Sequence, residues 1–273
     1  MSYGSSETTT RSMARQTWQE VGAVLRRRPN LVLLPVGALE QHGHHLPLGT
    51  DSIMVESLCL RAAEAFDRVL VAPGIPYGTS ANHEAFPGTV SVRLRTLVDL
   101  IVDIGTDLFR QGASIVLIVN GHGGNTQAVA AAAHELRQTT GQVVAQLMWT
   151  GMIHESWAVL DGDISWHADE SETSLMLALA PQLVHVDRAV DERPKDLPFF
   201  RFTEEALLAT KVDLGLPKTD ALSSSGTIGS ATLATRFKGE AMVEEATANL
   251  RRTIAGLLEH HEVLRTSLGR SAR

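Results

Sequence analysis

The sequence predicts an α/β protein, a three-layer α/β/α fold with a mostly parallel central sheet, and two observations support this class. Four short runs rich in Val, Leu and Ile have the composition of buried strands. They lie at 31–37, 68–73, 114–120 and 142–149. Helical patterns separate them, at 52–66, 92–111 and 126–139. Because such crossovers are right-handed, the helices should cover both faces of the sheet.

The ends of the chain and the region after residue 190 lack this alternation. The Ser/Thr-rich residues 1–15 predict a flexible tail, 238–263 predicts a final helix, and 266–273 predicts a short C-terminal tail. Between 190 and 230, Pro, Gly and Ser interrupt regular structure, which is typical of a functional or interface segment. No repeat or linker divides 16–265, so we expect a single domain there.

Composition excludes several classes of function. The 273 residues include 24 Lys and Arg against 31 Asp and Glu, a net charge of −7, which argues against a nucleic-acid partner. The sequence contains no run of about 18 apolar residues, which argues against a membrane-spanning segment. Its N-terminal residues also lack the pattern of a secretory signal, which argues against export. The single cysteine, Cys59, excludes an intrachain disulfide and favours a reducing, cytoplasmic location. We therefore expect a small-molecule substrate.

The first motif with metal-ligand chemistry is GALEQHGHHLPLGTD at 37–51, directly after the first predicted strand. Glu40 and His42 are two residues apart and should project to the same side of the chain at the carboxyl end of that strand. Asp51 either joins them or only caps the following helix, and the second reading is the better one for Asp51 alone. His44 and His45 are read as surface residues.

The second motif is IVNGHGGNTQ at 118–127, where another strand ends and a helix begins. It places His122 at the same sheet edge as Glu40 and His42. Gly123 and its neighbouring glycines permit a tight turn and close backbone approach. A phosphate-binding loop is the rival reading, but the run matches neither common phosphate motif. A plain turn with an exposed histidine remains the simplest alternative.

The third motif is SWHADESETSLMLALAP at 165–181, in which His167 precedes Glu172 by five residues beside Trp166. Acidic residues at a helix start ordinarily serve as caps. The three motifs together supply histidines and carboxylates from separate strand ends and helix starts. Mixed nitrogen and oxygen ligands suit Zn²⁺, Mn²⁺ or Fe²⁺, and a bridging Asp51 suits two ions. This chemistry indicates metal-assisted hydrolysis.

Two other residues with reactive side chains, Cys59 and Ser80, are not interpreted as nucleophiles. Cys59 lies on an apolar helix face and is interpreted as a buried small hydrophobe. Ser80, in GTSAN, lacks the second glycine of a nucleophile elbow, which argues against a serine hydrolase.

These motifs, with FPGT at 86–89, resemble the creatininase (creatinine amidohydrolase) family in order and spacing over most of residues 30–190. The resemblance implies a single-domain α/β/α fold, a binuclear Zn²⁺ or Mn²⁺ centre, and hydrolysis of an amide C–N bond. It also implies a homo-oligomer, a hexamer built as a trimer of dimers. The water or hydroxide held between the two ions would attack the substrate carbon.

The resemblance also assigns roles to individual residues. The implied metal ligands are Glu40, His42, Asp51, His122 and Glu172. His167 corresponds to the proton-shuttling histidine and forms the catalytic set with Glu172. The implied substrate-binding residues are Tyr77, Ser80, His83, Gly123, Trp149 and Trp166.

The chain departs from the family pattern at two positions. Gly124 stands where true creatininases carry a metal-associated glutamate, and Asp163 stands where they carry a tryptophan. We therefore expect a wider, more polar pocket, poor activity on creatinine, and a larger or more polar cyclic amide, such as a lactam, cyclic urea or imide, as substrate. The alternatives are a deformylase or small-peptide hydrolase acting on a linear amide, and a non-catalytic metal-binding protein.

Overall fold

The computed structural model describes residues 10–195 and 217–268. Four strands form a central sheet in the order β2-β1-β3-β4, and every neighbouring pair is parallel. The strands are β1 (Leu31–Val36), β2 (Val69–Val71), β3 (Ile115–Asn120) and β4 (Val143–Met148). All four lie within the predicted runs, so the α/β class with a parallel sheet is confirmed.

The helices pack on both faces of this sheet. They are α1 (Trp18–Leu25), α2 (Thr50–Ala63), α3 (Leu94–Gln111), α4 (Thr126–Thr140), α5 (Glu170–Leu179), α6 (Thr219–Leu222), α7 (Arg236–Glu259) and α8 (His261–Leu268). Leu31 and Leu33 of β1 join the core beneath α2, α5 and α7, whereas Val32 and Leu34 join the core beneath α1, α3 and α4. The alternation follows from the two-residue period of a strand, and it explains why β1 is apolar throughout.

A second, smaller sheet lies outside the predicted strands. It consists of β5 (Ser165–His167), β6 (Asp191–Glu192) and β7 (Ile228–Ser230), paired antiparallel in the order β5-β7-β6. Two of these strands come from the segment predicted to be irregular, of which residues 196–216 lie outside the described structure. The small sheet brings His167 next to the end of the central sheet.

Both chain ends are more ordered than predicted where the structure describes them. The N–H of Val71 donates to the carbonyl of Arg11 at 2.9 Å, so residues 10–15 of the expected tail pack against β2. The predicted final helix is divided at His260 into α7 and α8, and His261 at this break is buried. Residues 1–9 and 269–273, the remainder of the two expected tails, lie outside the described structure.

The helices in the described ranges include none with the length and apolar character needed to cross a membrane. The strands β1 and β3 are adjacent and parallel, with Val36 paired to Asn120 at their carboxyl ends. The chain segments that follow these two strands therefore begin at the same edge of the sheet, which is where open α/β sheets bind ligands.

Candidate metal centre

Three segments converge at this edge. Glu40 and His42 follow β1, His122 follows β3, and Asp51 lies in the first turn of α2. Gly121 allows the close approach of β3 to α2, because a Cβ at this position would lie 2.7 Å from the carbonyl oxygen of Asp51. Asp51 is not the helix cap, since the N-cap of α2 is Gly49, so the alternative reading of Asp51 as only a cap is wrong.

The converging side chains form two potential ligand triplets that share Asp51. One comprises Glu40, Asp51 and His122, and the other comprises His42, Asp51 and Glu172. In the first triplet, Nδ1 of His122 lies 3.2 Å from Oε1 of Glu40 and 3.3 Å from Oδ2 of Asp51. In the second, Nε2 of His42 lies 3.2 Å from Oδ1 of Asp51 and 3.7 Å from Oε2 of Glu172. The two oxygens of Asp51 thus face different triplets.

Hydrogen bonds to backbone carbonyls orient both ligand-type histidines. Nδ1 of His42 lies 3.1 Å from the carbonyl of Glu40, and Nε2 of His122 lies 3.2 Å from the carbonyl of Thr79. Each carbonyl requires an N–H on that ring nitrogen, so the opposite nitrogen faces the carboxylates. Metal-binding histidines are commonly held in this way by a second, outer hydrogen bond.

Several polar atoms of the cluster are buried without a hydrogen-bond partner among the described residues. They are both carboxylate oxygens of Glu40, Nε2 of His42 and Oδ2 of Asp51. Leaving buried carboxylate oxygens unsatisfied is costly, so unpaired atoms that converge on one point require a counter-charge. Divalent cations would supply that charge, and the donor set of imidazole nitrogens and carboxylate oxygens fits Zn²⁺ or Mn²⁺.

The electrostatics of the cluster agree with cation binding. Burial alone would lower the pKa of His42, but Asp51, Glu172 and Glu40 raise it to about 10. Burial likewise opposes protonation of His122, whose pKa the carboxylates of Glu40 and Asp51 nevertheless raise well above its usual value. Without metal these two rings therefore carry the protons that balance the carboxylates. A metal ion would replace those protons.

His167, which forms a third potential ligand group with Glu40 and His42, has a different electrostatic setting. Its Nε2 donates to the carbonyl of Gln41 at 2.7 Å, and its Nδ1 lies 3.8 Å from Oε1 of Glu40. Burial, followed by the neighbouring His42, lowers the pKa of His167 well below its usual value, so the ring is neutral. His167 therefore presents an unprotonated Nδ1 to the cluster and can accept a proton there.

Ala168 joins His167 to Glu172 and has an unusual backbone. Its φ of 48° lies in the left-handed region, which alanine adopts rarely, and its N–H donates to Oε2 of Glu172 at 2.7 Å. Backbone strain of this kind is typical of functional sites. Nothing in the sequence motif indicated it, because neither Gly nor Asn marks the position.

A cavity of about 350 Å³ opens onto the cluster. Of the predicted substrate-binding residues, His83, Gly123, Trp149 and Trp166 line it. Trp149 is buried, whereas Trp166 remains 40% exposed. Sequence reasoning missed Met148 and Thr150, which belong to no motif, and Ser165, which begins the third motif, although all three line the cavity.

Two predicted substrate-binding residues do not line this cavity. Tyr77 is 45% exposed and lies outside the lining. Ser80 is fully buried, and its N–H donates to Oγ of Ser91 at 2.9 Å. The loop that carries them turns into the short helical turn Ala81–His83, so only its far end, His83 with the neighbouring Asn82, reaches the cavity.

The structure also contradicts the expectation that Gly124 and Asp163 widen the pocket. A Cβ at Gly124 would clash with Nε2 of His122 and with the carbonyl of Thr79, so no free space exists there. The carboxylate of Asp163 is exposed, pairs with Arg193 and does not line the cavity. Trp166 supplies an aromatic wall three residues further along.

His45, read as a surface residue, is buried against Thr173, with 2.8 Å between Nε2 and Oγ1.

Comparison with known proteins agrees with this geometry. The family model described as creatininase, creatinine amidohydrolase, matches residues 14–254. Creatinine amidohydrolase of Pseudomonas putida is 34% identical over 248 residues, covering 84% of this chain and 90% of the relative. Mycofactocin precursor peptide peptidase of Mycolicibacterium smegmatis is 37% identical over 223 residues, covering 79% of this chain and 80% of the relative.

Solved structures give the same result. A creatininase structure with Mn superposes with a TM-score of 0.79 at 31% identity, covering 91% of this chain and 99% of that chain. A Zn–Zn form of a creatininase variant superposes with a TM-score of 0.79 at 30% identity, covering 91% of this chain and 98% of that chain. With a family model matched over most of its length and relatives above 30% identity, this chain belongs to the creatininase family of metal-dependent amidohydrolases.

Proposed function

We propose that this chain hydrolyses the C–N bond of a small, neutral cyclic amide, such as a lactam, cyclic urea or imide, at a centre of two divalent ions. The observation that carries the proposal is the pair of buried ligand triplets sharing Asp51 at the base of a cavity. Two ions bound there would lower the pKa of a water molecule and polarise the substrate carbonyl. Zn²⁺ and Mn²⁺ are the proposed metals, and Fe²⁺ also fits the ligands.

The protein side chains contribute positioning and proton transfer. Glu40, His42, Asp51, His122 and Glu172 are the proposed ligands. His167 is the proposed acid and base, because its neutral Nδ1 faces the cluster while its Nε2 is held by the carbonyl of Gln41. It would accept a proton at Nδ1 and deliver it to the departing nitrogen.

The cavity lining supports a neutral substrate. Among the described residues that line it there is no Lys or Arg, so the described lining offers no basic side chain to a substrate carboxylate. Trp149 and Trp166 offer flat apolar surface to a planar ring, which adds about 0.5–1.5 kcal/mol for each stacked contact. The volume of about 350 Å³ suits a small-molecule ligand.

Hydrolysis of a linear amide, either a formamide or the end of a small peptide, is the second candidate. The observation in its favour is the 37% identity to a peptide peptidase, which is above the identity to the creatinine amidohydrolase. Wild-type activity on a panel separates the candidates. Lactams, cyclic ureas, hydantoins, imides, formamides and short peptides should be tested on protein loaded with Zn²⁺ or Mn²⁺, with His167→Ala as the matched control.

Ring opening of a cyclic amide, lost in His167→Ala, would support the proposal, whereas exclusive cleavage of formamides or peptides would overturn its cyclic specificity. Absence of hydrolysis in a protein that binds two ions would favour a non-catalytic binding protein. Creatinine belongs in the panel. We expect its kcat/KM to fall below about 10⁴ M⁻¹s⁻¹, the low end for ordinary enzymes, because Gly124 provides no carboxylate where the resemblance to creatininases places a metal-associated glutamate.

We also propose a cytoplasmic location and assembly into a homo-oligomer, a hexamer built as a trimer of dimers. The location is supported by the single, buried cysteine, and the assembly by family membership. Light scattering coupled to size-exclusion chromatography measures the oligomer mass directly.

A further inference from the structure

Four buried histidines lie in the two triplets or beside them, and three of the four share one arrangement of hydrogen bonds. His42, His122 and His167 each direct one ring N–H to a backbone carbonyl and turn the other ring nitrogen toward the carboxylates. That second nitrogen carries a lone pair when the ring is neutral, so it can bind a proton or a metal. The fourth histidine, His83, makes no such contact with a backbone carbonyl of the described residues.

The partners of His83 are hydrogen-bond donors instead. Its Nδ1 lies 2.9 Å from Nε2 of Gln41 and 3.0 Å from Oγ1 of Thr219. The amide orientation of Gln41 is fixed on both sides, since its Oε1 accepts the N–H of Gly43 at 2.9 Å and its Nε2 donates to the carbonyl of Gly226 at 3.2 Å. The amide therefore donates to Nδ1 of His83, and the ring proton resides on Nε2.

The protonated nitrogen of His83 faces a ligand of the first triplet. Nε2 lies 3.5 Å from Oε1 of Glu40, an oxygen with no hydrogen-bond partner among the described residues. The other two imidazoles near this oxygen, His122 at 3.2 Å and His167 at 3.8 Å, approach it with the nitrogen opposite their hydrogen-bonded N–H. When all three rings are neutral, as they would be with His122 bound to a metal, His83 is the ring whose tautomer directs an N–H to Glu40.

We propose that His83 is a positioning residue that orients the Glu40 carboxylate through its Nε2–H, and that Gln41 and Thr219 set the required tautomer. This inference rests on the proposed metal centre, in which Glu40 is a ligand. It gives His83 a role in holding the centre, in addition to its place in the cavity wall. Outer-shell donors of this kind hold metal-binding carboxylates in place, and their loss weakens metal affinity about 10–100-fold.

The tautomer is supported from α6, which follows the segment outside the described structure. Nζ of Lys218, the residue before α6, donates to the carbonyl of Ala81 at 2.9 Å and pairs with Glu84, so it contacts both ends of the turn that carries His83. Thr219 then places its hydroxyl against Nδ1. An Nδ1 that accepts these hydrogen bonds carries a lone pair, so the geometry corresponds to a neutral ring.

The direct test is ¹⁵N NMR of the imidazole rings in metal-free wild-type protein labelled at histidine, between pH 6 and 8. His83→Gln serves to assign its signals. We expect a neutral His83 ring with the proton on Nε2. A neutral ring with the proton on Nδ1, or an imidazolium, would overturn the proposal.

A second test uses two substitutions of matched polarity. In His83→Gln the amide nitrogen reaches the position of Nε2 and can still donate to Glu40, whereas in His83→Asn the amide reaches only the position of Nδ1. Competition with a chelating dye measures the Zn²⁺ affinity of each folded variant. We expect a loss of about 10–100-fold for His83→Asn and less than about threefold for His83→Gln. Equal losses would show a packing role and overturn the proposal.

The hydroxyl of Thr219 is tested in the same assay. Thr219→Val removes the donor while keeping the shape, and Thr219→Ser retains it. We expect Thr219→Val to weaken Zn²⁺ binding and Thr219→Ser to leave it unchanged. Equal affinities would remove Thr219 from the proposal. Wild-type protein that binds no Zn²⁺ would overturn the metal centre itself, and the NMR result would still decide the tautomer of His83.

Discussion

Oδ1 of Asp51 lies 3.2 Å from Nε2 of His42, and both atoms are buried. The other oxygen of Asp51 faces His122, 3.3 Å away, so one carboxylate joins the two ligand triplets. This placement requires the first turn of α2 to begin against the end of β3. It makes Asp51 the residue on which both proposed ions depend.

Asp51→Asn should remove both ions, because an amide provides one uncharged oxygen in place of two charged ones. Elemental analysis should give close to two divalent ions per wild-type chain and no more than traces in the variant. Glu172→Gln is the matched control, since Glu172 belongs to the second triplet and not to the first. Retention of both ions by Asp51→Asn would contradict the bridging role, and a metal-free wild-type protein would contradict the binuclear centre.

His167 and Glu172 should differ in what their loss removes. His167→Ala should keep its metal and lose on the order of 10²–10⁴ in kcat, the usual contribution of a positioned acid or base. Glu172→Ala should lose metal as well as activity, because its carboxylate faces His42 within the second triplet. Metal content and kcat measured on the same preparations separate the two effects. Equal metal loss in both variants would make His167 a ligand.

The central sheet and the ligand positions could be predicted because they depend on local pattern. Leu31–Val36 and Ile115–Asn120 are continuous apolar runs, and such runs indicate buried parallel strands whose carboxyl ends share an edge. Glu40, His42 and His122 follow these ends within a few residues. Their convergence therefore follows from the order of strands and helices along the chain.

The small sheet and the residues that line the cavity could not be predicted from local sequence pattern. Its strands have two or three residues each, too short for a period of two to appear, and β5 pairs with residues about sixty positions away. The left-handed backbone of Ala168 and the packing of His122 over Gly124 depend on tertiary contacts. The sequence shows that Gly124 lacks a side chain, but it does not show that the imidazole of His122 occupies the space beside it.

Gly124→Ala should displace the ring of His122. The added Cβ would meet Nε2 of His122 and the carbonyl of Thr79, and so would disrupt the hydrogen bond that orients the ring. We expect Zn²⁺ affinity to fall at least tenfold, as for the loss of an orienting partner. Gly123→Ala is the matched control, because a Cβ there meets no atom within 4 Å. Equal affinities of the two variants would disprove the packing argument.

Glu245 of α7 should make stability depend on pH in the acid range. Its carboxylate accepts the N–H groups of His154 and Glu155, each at 2.9 Å, and of Ser156 at 2.8 Å, and so holds the segment that leads to Trp157. Burial would raise the pKa of Glu245, but these donors lower it to about 2. Because the pKa of Glu245 is lower in the folded protein than in the unfolded chain, ionisation of this carboxylate stabilises the folded protein. The contribution is therefore complete above the unfolded pKa of about 4.5 and is lost as the pH falls toward 2.

Glu245→Gln tests this by urea unfolding at several pH values. At pH 7 the variant should lose about 1–2 kcal/mol of unfolding free energy, below the full value of charged hydrogen bonds because the side chain is partly exposed. The difference from wild type should shrink between pH 5 and pH 2, since protonation removes the charge from the wild-type protein. Glu244→Gln, at an exposed neighbouring position, should show neither effect. A difference for Glu245→Gln that is constant over this pH range would mean that its charge does not hold the 154–156 segment.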